Sequence, residues 1–196
     1  MAVECTLAPF INEEFLVTGA WGEQRPGHIH AGIDLQTRKA YQTDIGQPVY
    51  SMSNGQVVRV DQTDQGTGYG AMCIVWDLTT KDMWLYGDLG DNSIQVSVGD
   101  IIQMGTQIGV EGDPSGTASS GLHVHVEKEN RPDGVFQFGY INSIDPTTGT
   151  GITNAVDGTI YIYYGTIPPT PTERKKKRFP WPIYAKKLRQ KRRGIL

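Results

Sequence analysis

Turn-forming residues interrupt this chain so often that long helices have little room to form. Glycine occurs 24 times and proline 11 times in 196 residues. Between them lie short runs rich in Val, Ile, Thr and Tyr, alternating with a period of two. Such runs, bounded by Gly, Asn or Asp, predict half-buried strands joined by tight turns. "GYGAMCIVWDLTTKDMWLYGDL" reads as two strands around the turn Thr79–Asp82. "GQPVYSMSNGQVVRVDQ" reads as a hairpin that turns at Asn54-Gly55 and returns through Gln56 to Val60. "NSIQVSVGDIIQMGTQIGVEG" gives short strands turning at Gly99-Asp100 and Gly105, and "GTIYIYY" (158–164) gives a further strand. The glycine-rich "GTGYG" (66–70) lacks a following Gly-Lys-Ser/Thr and leads into a strand, so it reads as a turn and not as a phosphate loop.

A chain of this length buries one sizeable core with a tail or small subdomain besides. Its net charge of −3 hides two opposite parts. Residues 1–170 carry seven basic and twenty acidic side chains, whereas eleven of the eighteen Lys and Arg fall in 174–196. The Pro/Thr run "TIPPTPTE" cannot continue a sheet. We therefore expect a folded domain over 1–165, a linker over 166–173 and a basic tail over 174–196. In the tail, basic clusters alternate with Phe179, Trp181, Ile183 and Tyr184. That composition suits nucleic acid, an anionic membrane or wall polymer, or an acidic protein surface. Docking to a partner protein or assembly is the favoured reading. No run approaches the ~18 apolar residues of a membrane span. The opening "MAVECTLAPFINEEFLV" has neither a basic start nor an unbroken apolar stretch, so no signal peptide is expected. Cys5 and Cys73 are too few and too far apart for a thiolate metal site and read as buried thiols.

All four histidines fall in two short segments. In "GLHVHVEKEN", His123, His125 and Glu127 share one face of a strand, with Val124 and Val126 on the other. Three polar groups on one face of an apolar strand need partners. "RPGHIHAGIDLQ" supplies His30 and Asp34, which share a face on a helix or on extended chain; Gly32 and Ile33 favour extended chain. His30, Asp34 and one of His123 or His125 are thus candidates to converge on a metal. Two imidazoles and one carboxylate leave a fourth position open, as in catalytic zinc sites. Manganese and nickel accept the same donors.

Six segments, in order, resemble the LytM/lysostaphin-type metallopeptidases of family M23, which are peptidoglycan endopeptidases. They are "VTGAWGEQRPGHIHAGIDL", "GQPVYSMSNGQVV", "GTGYG", "VSVGDIIQMGTQIGVEG", "SGLHVHVE" and "INSIDP", spanning roughly Val17 to Pro146. The resemblance implies an all-β fold, mainly antiparallel, with zinc on the floor of a long substrate groove. It implies His30, Asp34 and His125 as ligands and His123 as an acid/base or oxyanion-stabilising group. Zinc there would lower the pKa of a bound water toward ~7 and polarise the scissile carbonyl. Glu127 matches a common position and reads either as support for a ligand or as a surface carboxylate.

One departure matters. Where the family usually has Tyr-x-His-Leu, with a second catalytic imidazole, this chain reads Tyr86-Gly87-Asp88-Leu89. A carboxylate near zinc tends to stay ionised and would repel a developing oxyanion. Asp88 then acts as a base toward water on the metal, or binds the metal and closes the open site. His28 is a spare imidazole nearby. The expected function is a zinc endopeptidase cutting peptidoglycan peptides. It would be made in the cytoplasm and reach the bacterial wall by lysis or on a phage tail or similar device. The competing expectation is a catalytically impaired module serving as a part of an assembly, and a weaker one is a nucleic-acid-binding protein through the tail.

Overall fold

The computed structural model describes residues 1–113 and 121–167; the basic tail and most of the expected linker lie outside the described residues. The chain opens with β1 (Val3–Glu4) and β2 (Glu14–Gly19), followed by the small hairpin β3 (Gln24–Arg25) and β4 (His28–Ile29). Next come β5 (Ile33–Thr37), the six-residue helix α1 (Arg38–Thr43), β6 (Pro48–Tyr50) and β7 (Gly55–Asp61). The hairpin β8 (Ala71–Trp76) and β9 (Asp82–Leu89) turns where the sequence places it. β10 (Ile101–Ile102), β11 (Gln107–Val110), β12 (Val124–Asn130) and β13 (Ile160–Ile162) complete the strands.

Nine strands form one sheet in the order β1-β13-β2-β5-β12-β9-β8-β7-β10, antiparallel except for the β1–β13 edge pair. The fold is all-β, as expected. One predicted hairpin is corrected. β6 pairs with β11, and β7 pairs with β8 and β10, so the segments flanking Asn54-Gly55 do not pair with each other. An Asn-Gly hairpin turn of type I′ needs positive φ at both residues, and neither has it here. Gly55 instead opens β7, where an added Cβ would sit 2.5 Å from Trp76 O.

The sheet has two apolar faces of unequal size. The larger core gathers Val124, Val126, Tyr86, Val75, Cys73, Ile33, Leu35 and Phe15, all buried. Full burial of such side chains contributes about 1.5–3 kcal/mol each. Met72, Ile74, Met83 and Leu85 make a smaller cluster on the opposite face, covered by Tyr69, Trp76 and Phe136. Cys5 and Cys73 are buried, unpaired thiols. Helix α1 starts at Thr37, whose hydroxyl accepts from Ala40 N at 3.1 Å, and stops at left-handed Asp44 (φ 55°). Buried Glu111 locks this corner: its carboxylate accepts from Thr37 N, the Thr37 hydroxyl and Gln47 N at 2.7–2.9 Å. Among the described residues no helix is long and apolar enough to cross a membrane.

Candidate metal centre and active site

Adjacent central strands bring the two histidine segments together. β12 pairs with β5 in a register that sets His125 opposite Asp34. Val124 and Val126 point into the larger core, so His125 and Glu127 occupy the opposite face, as the alternation predicts. His30 sits between β4 and β5, held by its backbone N–H to Glu23 O (2.8 Å) and its carbonyl to Gly22 N (2.9 Å). Gly32 allows the close approach: a Cβ there would meet Val126 O and the His125 ring.

The converging atoms are His30 Nε2, Asp34 Oδ1 and His125 Nδ1, separated by 3.1, 2.8 and 3.0 Å. All three residues are buried. The outer ring nitrogens fix the tautomers. His30 Nδ1 lies 2.8 Å from Ala20 O, and a carbonyl only accepts, so that nitrogen carries its hydrogen. His125 Nε2 likewise donates to Glu127 Oε1 at 3.0 Å. In neutral rings the two inner nitrogens are then bare, and their lone pairs face each other beside a carboxylate oxygen. Such an arrangement is repulsive unless a cation lies among them. Ligand atoms about 2.0–2.1 Å from a tetrahedral zinc are themselves about 3.3 Å apart, close to the spacing seen here. The donor set fits zinc, with both imidazoles oriented by their outer nitrogens.

The electrostatics make the same demand. Burial raises the Asp34 carboxyl, but hydrogen bonds from His125 and His30 outweigh it and hold Asp34 well below the usual carboxylate range. Burial pulls His125 down, yet Asp34 and Glu127 push it up to about 10. Positive charge is favoured at this point, and proton and metal compete for it.

Two supporting residues carry no role in the sequence motifs. Tyr69, in the turn before β8, donates its hydroxyl to Glu127 Oε1 at 2.7 Å, and its ring meets that of His125 edge-on. Fully buried Glu127 is therefore a partner of His125 and not a surface carboxylate. Arg25 on β3 donates from Nη2 to Asp34 Oδ2 at 2.6 Å. The Gly-Tyr-Gly turn marks Tyr69 in the sequence, whereas nothing periodic marks Arg25. His28, on β4, is exposed and does not join the cluster.

Asp88 reaches the site through a bulge. Tyr86 points into the larger core and Gly87 pairs with His125, so strict alternation would send Asp88 back into the core. The β8–β9 register shifts between Ala71 and Cys73, and Asp88 adopts left-handed φ 54°. A bulge re-aims a side chain in this way. Asp88 Oδ2 then lies 3.2 Å from His123 Nε2, while His123 Nδ1 donates to Gly121 O at 2.9 Å. Burial lowers the His123 pKa, but the Asp88 hydrogen bond, the Asp34 charge and the Gly121 carbonyl more than offset it. The nearest partner of Asp88 is thus the neighbouring imidazole.

A mostly antiparallel sheet with His125 and Asp34 on one face, His30 beside them and a histidine–aspartate pair next to these, defines an all-β fold with a candidate metal centre. The chain belongs to peptidase family M23, whose family model matches residues 28–134. The catalytic domain of the antimicrobial peptidase lysostaphin from Staphylococcus simulans is similar in structure: TM-score 0.53 at 23% identity, covering 68% of this chain and 90% of that one. Against whole lysostaphin the TM-score is 0.56 at 22% identity, and the match covers 76% of this chain but 54% of that one. A single-residue variant of the catalytic domain of EnpA, a prophage-encoded M23 protein from Enterococcus faecalis, gives 0.52 at 24% identity over 71% of this chain and 95% of that one. SpoIIQ in the SpoIIQ–SpoIIIAH pore-forming complex gives 0.54 at 18% identity over 74% and 90%. No curated protein sequence matches the chain.

Proposed function

We propose that this M23 peptidase is a zinc-dependent endopeptidase that hydrolyses peptide bonds in bacterial peptidoglycan. The observation that carries the reading is the convergence of two imidazole nitrogens and one carboxylate oxygen within 3.1 Å of one another. His30, Asp34 and His125 would hold the ion, leaving a fourth position open. Zinc in such a site polarises the scissile carbonyl and lowers the pKa of bound water toward ~7. His123 supplies the proton chemistry. With Nδ1–H on Gly121 O and Nε2 facing Asp88, its charged form is favoured, and from that form it would donate to a developing oxyanion or a leaving nitrogen. Asp88 in this reading acts through His123 and compensates for the imidazole that position 88 lacks. Delivery to the wall on a phage tail or similar assembly is part of the same proposal.

The test is hydrolysis of purified peptidoglycan by zinc-loaded protein, with His30→Ala and His125→Ala as controls. New amine ends from wild type, and none from either control, are expected. A second reading, a binding part of an assembly, is favoured by Asp88 and by the likeness to SpoIIQ. Full zinc occupancy with no hydrolysis by wild type or by Asp88→His would overturn the peptidase reading and favour this one.

A further inference from the structure

Asp34 has two oxygens, and the molecule assigns them to different partners. Oδ1 faces His30 and His125, while Oδ2 accepts from Arg25 Nη2 at 2.6 Å. A carboxylate with both oxygens free can chelate a metal and fill two positions. With one oxygen engaged by a guanidinium it offers a single donor. We propose that Arg25 is a positioning residue that keeps Asp34 a one-oxygen ligand and so keeps the fourth metal position open to water and substrate. This rests on the metal reading above.

The local architecture is built around this pair. Arg25 lies on the hairpin β3–β4, whose backbone bonds from Gly22 to His30 and from His30 to Glu23 tie it to the ligand segment. One tightly held unit thus carries both the guanidinium and the ligand His30. Gly19, opposite Asp34 on β2, leaves room for the pair: a Cβ there would collide with Arg25 Nη2 and Asp34 Oδ2. Arg25 is about one-third exposed, whereas Asp34 is buried, so the pair spans from solvent to the ligand cluster. Its contact with Glu23 is longer, at 3.5 Å, which leaves Asp34 as its main partner. A lysine carries the charge but not the planar fork that fixes a carboxylate's orientation.

The experiment compares zinc-loaded wild type, Arg25→Met, Arg25→Lys and Arg25→Ala, each checked for native circular dichroism. Zinc affinity is measured by chelator competition, and the coordination shell by X-ray absorption at the zinc edge. Arg25→Met is expected to bind zinc roughly 10- to 100-fold more weakly, the usual cost of losing a partner that orients a ligand. Its shell should gain an oxygen as Asp34 turns to chelate, and Arg25→Lys should recover only part of the affinity. Arg25→Ala, which removes the guanidinium with a smaller side chain and leaves Asp34 uncrowded, should change the shell in the same direction if Arg25→Met fails to fold. An unchanged shell in whichever of Arg25→Met and Arg25→Ala folds overturns the proposal, whatever happens to affinity. Wild type that binds no zinc, or binds it equally well as His30→Ala, would instead remove the metal reading beneath it.

Discussion

At the scale of single residues, the candidate site is a chain of hydrogen bonds running outward from one point. Tyr69, Glu127 and His125 form one line of it, and Gly121, His123 and Asp88 form another. Glu127→Gln should weaken zinc binding about 10- to 100-fold, because the outer nitrogen of His125 loses a charged acceptor; Tyr69→Phe should cost less. Equal zinc affinity in Glu127→Gln and wild type would reduce Glu127 to a buried bystander. His123→Ala should lower peptidoglycan hydrolysis by ~100- to 10,000-fold while zinc stays bound. Asp88→Asn should give a smaller loss, and the double variant should be no worse than His123→Ala alone, since the two act as a unit. Additive losses would mean that Asp88 works independently of His123. The pattern His-Val-His-Val-Glu makes one face of this machinery legible in the sequence, because alternation alone separates imidazoles from valines. Arg25 is not legible there, since its partner Asp34 lies nine positions away across a short hairpin and nothing in the spacing marks the pair.

Among the elements, long-range pairing decides what local signals cannot. The β8–β9 hairpin is readable because its turn and both alternating flanks are contiguous. Asn54-Gly55 suggests an equally local hairpin, yet β6 takes β11 and β7 takes β8 as partners. The Asp88 bulge is equally hidden, because an extra residue in one strand shows only against its neighbour. Gly112 joins these parts: its N–H donates to the carbonyls of Asp88 (2.9 Å) and His123 (3.2 Å). An added Cβ there would sit 2.5 Å from backbone atoms of Leu89 and Gly90. Gly112→Ala should therefore separate Asp88 from His123 and destabilise the fold by about 1–3 kcal/mol, the usual range for overpacking. Activity should fall more than zinc affinity, since His30 and Asp34 lie on other segments and only His125 shares the segment of His123. Comparable losses of both would show that the two halves of the site are not separable.

For the whole molecule, metal binding and folding should be coupled. Zinc at a thousandfold above its Kd stabilises by about 4 kcal/mol if the unfolded chain does not bind it. Thermal unfolding with zinc, and after chelation, reads this directly. The metal-free site adds a pH dependence of known sign. The folded His125 pKa is raised from 6.5 to about 10, so its protonation contributes stability that is fully present below about pH 6.5 and is lost as pH rises toward 10. Zinc needs that ring unprotonated, so the zinc-induced rise in Tm should grow between pH 6 and 9. A shift that shrinks over this range would contradict competition between proton and zinc at His125. A chain ending after Gly165 should fold and load zinc, as circular dichroism and metal analysis would report; an aggregated product would move the boundary. The bulge at the end of β9 has a further consequence. Left-handed backbone disfavours β-branched residues but admits Asp, Asn and His with little strain. The backbone at position 88 thus admits a carboxylate, an amide or an imidazole alike. One substitution there changes the chemistry of this corner without asking the strand to change its course.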